Sequence, residues 1–312
     1  MRQTNVQLKI TEQLPEKIDY YMVCASYENR CLSAYENITP DRIENLGVFY
    51  FDQFEEGSRA NITLYTEKYS SQLFKLDASH PTTIADSIID FFSPIKTLKS
   101  PPNLVIDTST FTRESLLIAL KYLEINKSIF NEIFIFYRAA KVSSSLSDAV
   151  LQVRSVLGYM GDIESNKPLH LILLSGFEHE RAKEIIDTLE PDFISIGYGA
   201  KGQSISDELQ AMNAAFTEKL VAYYSQDKIN VFEHSLLDPY KAKNEIISII
   251  NSKADYNTVI APLNNKLSTI GAGLAAISNP NVQICYAQMG SYNESAYSEP
   301  MDDCYIYPLK FD

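Results

Sequence analysis

The 312-residue chain has four cysteines, Cys24, Cys31, Cys285 and Cys304, and none stands in a C-x-x-C pair. That is too few for a disulfide framework, and the spacing fits no zinc site. Free thiols in a reducing compartment are expected. The four histidines, His80, His170, His179 and His234, are scattered, with no H-E-x-x-H spacing. No metal site is therefore expected. Positive charge is also short: 27 Lys and Arg face 40 Asp and Glu, a formal net charge of -13. A groove for a nucleic-acid polymer shows a basic stripe that neutralises phosphates. No Lys/Arg-rich run occurs here, which excludes a long nucleic acid as partner. A small anion is not excluded, because a helix N-terminus with one or two cations holds a phosphate. No apolar run approaches the length of about 18 residues that a membrane helix needs. The start, Met1 to Gln7, lacks the apolar stretch of a signal peptide. A cytoplasmic protein with no membrane association is expected.

Specific catalytic and cofactor motifs are missing too. There is no G-x-x-x-x-G-K-[ST] phosphate loop, no G-x-G-x-x-G after the first strand and no G-x-S-x-G elbow. Gly197-Tyr198-Gly199-Ala200-Lys201-Gly202 is glycine-rich, but it follows the second strand of its half. Asp107 stands at a strand end, suited to a metal or a base. No second carboxylate accompanies it, so no acid–base pair can be named. No cofactor is expected.

What is present is a duplication. Ser175-Gly176-Phe177-Glu178-His179-Glu180-Arg181 precedes a helical run and Pro191-Asp192. Ser26-Tyr27-Glu28-Asn29-Arg30 likewise precedes a helical run and Pro40-Asp41. Both follow continuous apolar runs, Tyr20 to Ala25 and Leu169 to Leu174, fit for strands buried on both faces. A second pair keeps the same order: Asp107 to Arg113, and Ala261 to Lys266, each ending in a cation at a helix start. Two ordered pairs about 150 residues apart point to two similar halves.

Strand and helix alternate throughout, the signature of a mainly parallel sheet with crossover helices. The fold class is α/β: two tandem Rossmann-like domains related by internal duplication. The serine-rich stretch 139–147 is the boundary candidate, giving domains 1–143 and 144–312. Residues 150–158 read as a bridging helix, and 304–309 as a last strand of the second domain.

In open α/β sheets, ligands bind beyond the carboxyl ends of the strands, where strand order reverses. Segments 26–30, 107–113, 175–181 and 262–269 all qualify. Thr110, Thr112 and Ser268 offer hydroxyls to phosphate or ribose, although Ser and Thr at such turns are most often plain N-caps. Arg30 and Arg181 suit an anion, or an ion pair with Glu28 and Glu178. Tyr27 and Phe177 suit a stacked base, or the packing of helix on sheet. Arg113 and Lys266 stand against the helix dipole, which disfavours a cation there and so points to an anion. His170 reads as a satisfied core histidine and His179 as a solvated first-turn residue.

The second half resembles a CRISPR-associated Rossmann fold (CARF) domain. The resemblance lies in Leu173-Leu174-Ser175-Gly176-Phe177 with Pro191-Asp192, and in Asn264-Asn265-Lys266 followed by Gly271-Ala272-Gly273-Leu274-Ala275-Ala276. The usual glycines before the lysine are absent. The first half matches more loosely, with Arg113 where the lysine would stand. A fused pair is similar to the SAVED sensors of bacterial antiphage systems. This resemblance implies a cytoplasmic receptor that binds a cyclic or linear oligonucleotide messenger between its halves and signals to an effector protein or by self-assembly. By position it implies ligand contacts at Ser26, Thr110, Thr112 and Arg113, and at Ser175, Gly176, Asn265 and Lys266. Two alternatives stay open: an enzyme on a small nucleotide (a phosphodiesterase or nucleoside glycosidase), and a ligand-free adaptor using the Tyr-rich segment 286–307.

Overall fold

The computed structural model describes residues 2–5, 12–141, 149–290 and 299–311. The chain forms two compact units, Met1–Ser144 with Glu294–Asp312, and Ser145–Asn293.

In the first unit the elements run β1 (Arg2–Asn5), β2 (Ile18–Cys24), α1 (Ser33–Asn37), β3 (Ile43–Phe51), α2 (Glu55–Lys68), β4 (Ser71–Leu76), α3 (Pro81–Phe92), β5 (Leu104–Asp107), α4 (Arg113–Ile125) and β6 (Ile133–Ala140). In the second they run β7 (Val150–Ser155), β8 (Leu169–Leu174), α5 (His179–Leu189), β9 (Phe193–Gly199), α6 (Asp207–Val221), β10 (Ile229–His234), α7 (Pro239–Asn251), β11 (Asn257–Pro262), α8 (Lys266–Ser278) and β12 (Gln283–Met289). Strand β13 (Pro300–Pro308) follows.

The sheets have the orders β1-β13-β6-β5-β2-β3-β4 and β10-β9-β8-β11-β12-β7. Strands β2 to β6 pair in parallel, and so do β8 to β12. Each parallel core has the doubly wound order third-second-first-fourth-fifth, so strand order reverses between β2 and β5 and between β8 and β11. Two Rossmann-like α/β units with one topology are thus the fold, as the duplicated motifs predict. The central strands are continuous apolar runs because both faces carry helices: β5 and β11 are buried along their whole length.

Two expectations are corrected. Residues 150–155 form β7, an edge strand antiparallel to β12, not a bridging helix. The C-terminal strand β13 belongs to the first unit, where it lies antiparallel between β6 and β1. The second unit therefore ends near residue 293, and β13 does not close a hairpin on β12. The first unit is therefore discontinuous in sequence. Most of the boundary stretch 139–147 lies outside the described residues, as do Tyr292 and Tyr297.

Helix packing reflects composition. Where α8 meets α7, a Cβ on Gly271 would come within 2.7 Å of the Ala242 Cβ and 2.9 Å of the Pro239 carbonyl oxygen. The missing side chain at Gly271 lets these helices close up.

Candidate functional site

The segments selected from the sequence meet pairwise at the two reversal points. In the first unit Val23 is the register partner of Asp107, so the turns after β2 and β5 are neighbours. Thr110 Oγ1 donates to the Cys24 carbonyl at 2.6 Å and locks one turn to the other. In the second unit Leu173 is the partner of Ala261. There the Leu263 amide donates to the Leu174 carbonyl at 3.0 Å. Asn264 Nδ2 donates to the Ser175 carbonyl.

Both following helices start the same way. Thr112 caps α4, its Oγ1 accepting from the Ser115 amide at 3.1 Å. Asn265 caps α8, its Oδ1 accepting from the Ser268 amide at 2.9 Å. Ser115 Oγ and Ser268 Oγ each return a bond to the cap residue's carbonyl, at 3.1 and 3.0 Å. Arg113 and Lys266 therefore occupy the first position of their helices, half-buried, at the positive end of the dipole. Helix α8 has no acidic residue in its first turn, whereas α4 has the buried Glu114.

The arginines of the other motif are also equivalent. Arg30 Nε donates to Glu28 Oε2 at 2.7 Å, and Arg181 Nη1 to Glu178 Oε2 at 3.1 Å. Arg30 Nη1 reaches the Arg138 carbonyl of β6 at 3.5 Å, and Arg181 Nη2 the Ala287 carbonyl of β12 at 2.5 Å. Their side chains are only 9% and 1% exposed. Both arginines bind loop to sheet.

The turns after β2 and β8 differ in one respect. A Cβ on Gly176 would lie 2.1 Å from the Leu263 carbonyl oxygen. The two turns are in backbone contact there, and the crevice of the second unit is closed at that point. Ser26 occupies the equivalent place in the first unit and is half-buried, whereas Gly176 is buried. Having a Cβ, Ser26 cannot repeat so close an approach. Its Oγ accepts from the Glu28 amide at 3.3 Å.

Asp107, Ser175 and Ser268 expose no surface. Ser175 Oγ accepts from Thr217 Oγ1 at 3.0 Å. Asp107 Oδ1 accepts from the Ser109 amide at 3.0 Å. Burial pushes the Asp107 carboxyl up to about 7, against weaker downward pulls from its Ser109 hydrogen bonds and from Arg30. Tyr27 packs edge-on to Phe54 at 5.7 Å, and Phe177 is half-buried. Of the residues selected from the sequence, Ser26, Tyr27, Thr112, Arg113, Phe177, Asn265 and Lys266 expose surface at the strand ends.

No family model matches the sequence, and no curated protein matches it. Among solved structures, the chain is similar to the cytoplasmic domain of a prokaryotic cation chloride cotransporter. Identity is 9%, the TM-score is 0.26, and the match covers 88% of this chain and 96% of that one. At that score the likeness says nothing about function.

Sequence reasoning missed a pair of buried asparagines. Asn213 of α6 donates Nδ2 to the Ser175 and Gly176 carbonyls at 3.0 and 3.1 Å, and its Oδ1 accepts from the Gly199 amide at 2.8 Å. It ties the ends of β8 and β9 together. Asn61 of α2 donates Nδ2 to the Ser26 carbonyl at 2.7 Å. A signal was present: Asn61 and Asn213 each shortly precede a Thr-Glu-Lys, at 66–68 and 217–219. Tyr137 was missed as well, whereas Tyr286, Tyr305 and Tyr307 of the Tyr-rich segment offered as an adaptor surface are buried. Tyr286 lies beneath the Arg181 and Arg154 guanidinium groups, 5.3 and 6.0 Å from its ring centre. Tyr137 of β6 lies near both Arg30 and Arg113.

Of the histidines, His170 is fully buried in the core as expected, with Nε2 2.8 Å from Ser195 Oγ, but it is only half satisfied, because its buried Nδ1 has no hydrogen-bond partner among the described residues. His179 is not simply solvated: its ring packs 5.2 Å from both Phe216 and Tyr223. Among the described residues, no His, Cys, Asp and Glu cluster could hold a metal ion. No helix among them is long and apolar enough to cross a membrane.

Two clefts lie elsewhere. One, of about 320 Å³, is lined by Asp162, Glu164, Lys253, Tyr256 and Asn279 at the amino ends of the second unit's strands. Another, of about 500 Å³, is lined by Phe130, Ile133, Pro308 and Phe311. Neither contains a residue singled out above. Beside the first, α7 and α8 end and present carbonyls, which suit an anion less than the amides at the opposite edge.

Proposed function

We propose that this chain is a cytoplasmic nucleotide-sensing module of a bacterial antiphage system. It binds a short cyclic or linear oligonucleotide at the carboxyl ends of its strands and passes the signal to a partner protein or to self-assembly. One observation carries the reading: both units bring their duplicated turns to the strand-order reversal, and each sets a cation on the first position of a capped helix there. The helix dipole disfavours that cation, and a phosphate beside it reverses the sign. Tyr27 and Phe177 supply aromatic surface for a base, and Thr112 and Asn265 flank the cations. Arg30 and Arg181 act indirectly, by fixing the turns.

The enzyme reading loses its main residue, because Asp107 exposes no surface to a substrate. The test is a thermal-shift screen of short cyclic and linear oligoribonucleotides, followed by mass spectrometry of the incubated ligand. A hit recovered intact, with its shift reduced in Arg113→Ala or Lys266→Ala, supports the sensor. Recovery of cleaved ligand supports the enzyme. No shift with any oligonucleotide overturns the proposal.

A further inference from the structure

The first unit holds a buried carboxyl that its sister unit lacks. Asp107 sits at the end of β5, and Ala261 holds the equivalent register position on β11. Asp107 Oδ1 accepts from the Ser109 amide, while the Tyr21 hydroxyl faces Oδ2 at a long 3.5 Å. The groups facing it come from every side: Tyr21 of β2, Arg30 and Cys31 of the turn 29–32, Tyr65 of α2 and Cys304 of β13. Tyr69 lies behind Tyr21 and Tyr65.

Most of these groups are neutral. Burial pushes the Cys31 thiol up to about 12 and holds the Tyr21 hydroxyl well above the ordinary phenol range. Arg30 is the cation among them, and it already donates to both Glu28 oxygens, at 2.7 and 3.2 Å. An ionised Asp107 therefore shares its one nearby cation with another carboxylate. A buried charge so poorly matched is costly, and the closed structure favours the protonated acid.

The same short segment holds its neighbours. Thr110 Oγ1 donates to the Cys24 carbonyl, and Ser109 Oγ accepts from the Arg138 amide at 2.9 Å. Asp107 thus begins the segment that ties the end of β2 to β6. We propose that the first unit carries a proton-linked latch, in which protonated Asp107 holds segments 24–32 and 107–112 closed and its ionisation loosens them. The inference does not depend on the nucleotide reading.

The sign follows from linkage. The closed state keeps its proton up to about neutral pH, whereas an opened, solvated carboxyl releases it near its ordinary value of about 4. Opening is therefore favoured as pH rises between those values, and levels off above them. The test is amide hydrogen exchange of the full-length protein from about pH 5 to 8, corrected for intrinsic rates. Wild-type amides in 24–32 and 107–112 should open up to about tenfold more per pH unit until near pH 7. Asp107→Asn should give a flat profile, and segment 174–181 should not follow that rise. Tyr21→Phe removes a donor to the ionised form and should raise the midpoint, which preserves the test if the Asn variant does not fold. A flat wild-type profile, the same rise in Asp107→Asn, or an unmoved midpoint in Tyr21→Phe overturns the latch.

Discussion

Arg181 bonds Glu178 at 3.1 Å with its side chain 1% exposed, and its guanidinium also reaches a carbonyl of β12. A sequence reading cannot separate such an arginine from a ligand-binding one; its burial does. Arg181→Ala removes the bonds to Glu178 and to the Ala287 carbonyl and opens a void in the buried site. It should destabilise the second unit by about 3–5 kcal/mol, read as a lower urea midpoint. A loss below about 1 kcal/mol would mean that the pair behaves as a solvated surface bridge.

Asn213 is the polar hub of the second unit. Asn213→Ala removes its bonds to two carbonyls and one amide and leaves those groups buried. The expected cost is about 2–3 kcal/mol. Asn61→Ala, for which the Ser26 carbonyl is the partner lost, should cost about 1 kcal/mol. Chemical denaturation of both variants checks the order, and an equal or reversed order would contradict it.

Gly176→Ala tests the closed crevice. An added Cβ meets the Leu263 oxygen at 2.1 Å, so the turns must part. Overpacking of this kind costs about 1–3 kcal/mol. Ser26→Ala, at the equivalent place in the first unit, adds no atom there and should cost less. Paired melting curves of the two variants give the comparison.

The two buried histidines of the second unit make it sensitive to acid. Burial pushes His170 and His234 down to about 4. An unfolded histidine takes up a proton near its ordinary value of about 6.5, so between these values the unfolded state binds more protons. Stability is therefore present above about pH 6.5 and is lost as pH falls toward 4. His234→Gln should flatten that acid limb in exchange measurements on 229–262. An unchanged limb would mean that His234 is charged in the folded state.

The extent of the first unit gives a further prediction. Strand β13 pairs with both β6 and β1, so a chain ending before residue 299 leaves the edge of β6 bare. Such a truncation should lose the first unit's cooperative transition and aggregate. Residues 145–293 contain all of the second sheet and should fold alone. Circular dichroism and melting of the two fragments decide it; a stably folded 1–298 would contradict the assignment of β13.

Much of the fold was legible because its signals are local. The runs 20–25 and 169–174 are strands buried on both faces, and apolar composition alone marks them. The order of turn, arginine, helix and Pro-Asp repeats within each unit's first strand–helix step. What escaped was non-local. Val150 to Ser155 carries a short, mixed pattern that suits a helix or an edge strand equally, and pairing with β12 decides it. The placement of β13 depends on a partner more than 150 residues away in sequence, as in Tyr305 opposite Tyr137. At the site, the chain order showed which turns lie at strand ends, but not that Asp107, Ser175 and Ser268 face inward. That depends on which hydrogen bonds close each turn.

The most direct test of the sensing account is isothermal titration of the full-length protein with the short oligonucleotide that gives the largest thermal shift. The account predicts saturable binding by wild type that weakens at least about tenfold, or 1.4 kcal/mol, in Arg113→Ala or Lys266→Ala. Those variants should still fold and melt cooperatively without ligand. Absence of binding heat, or wild-type affinity in both variants, would contradict it.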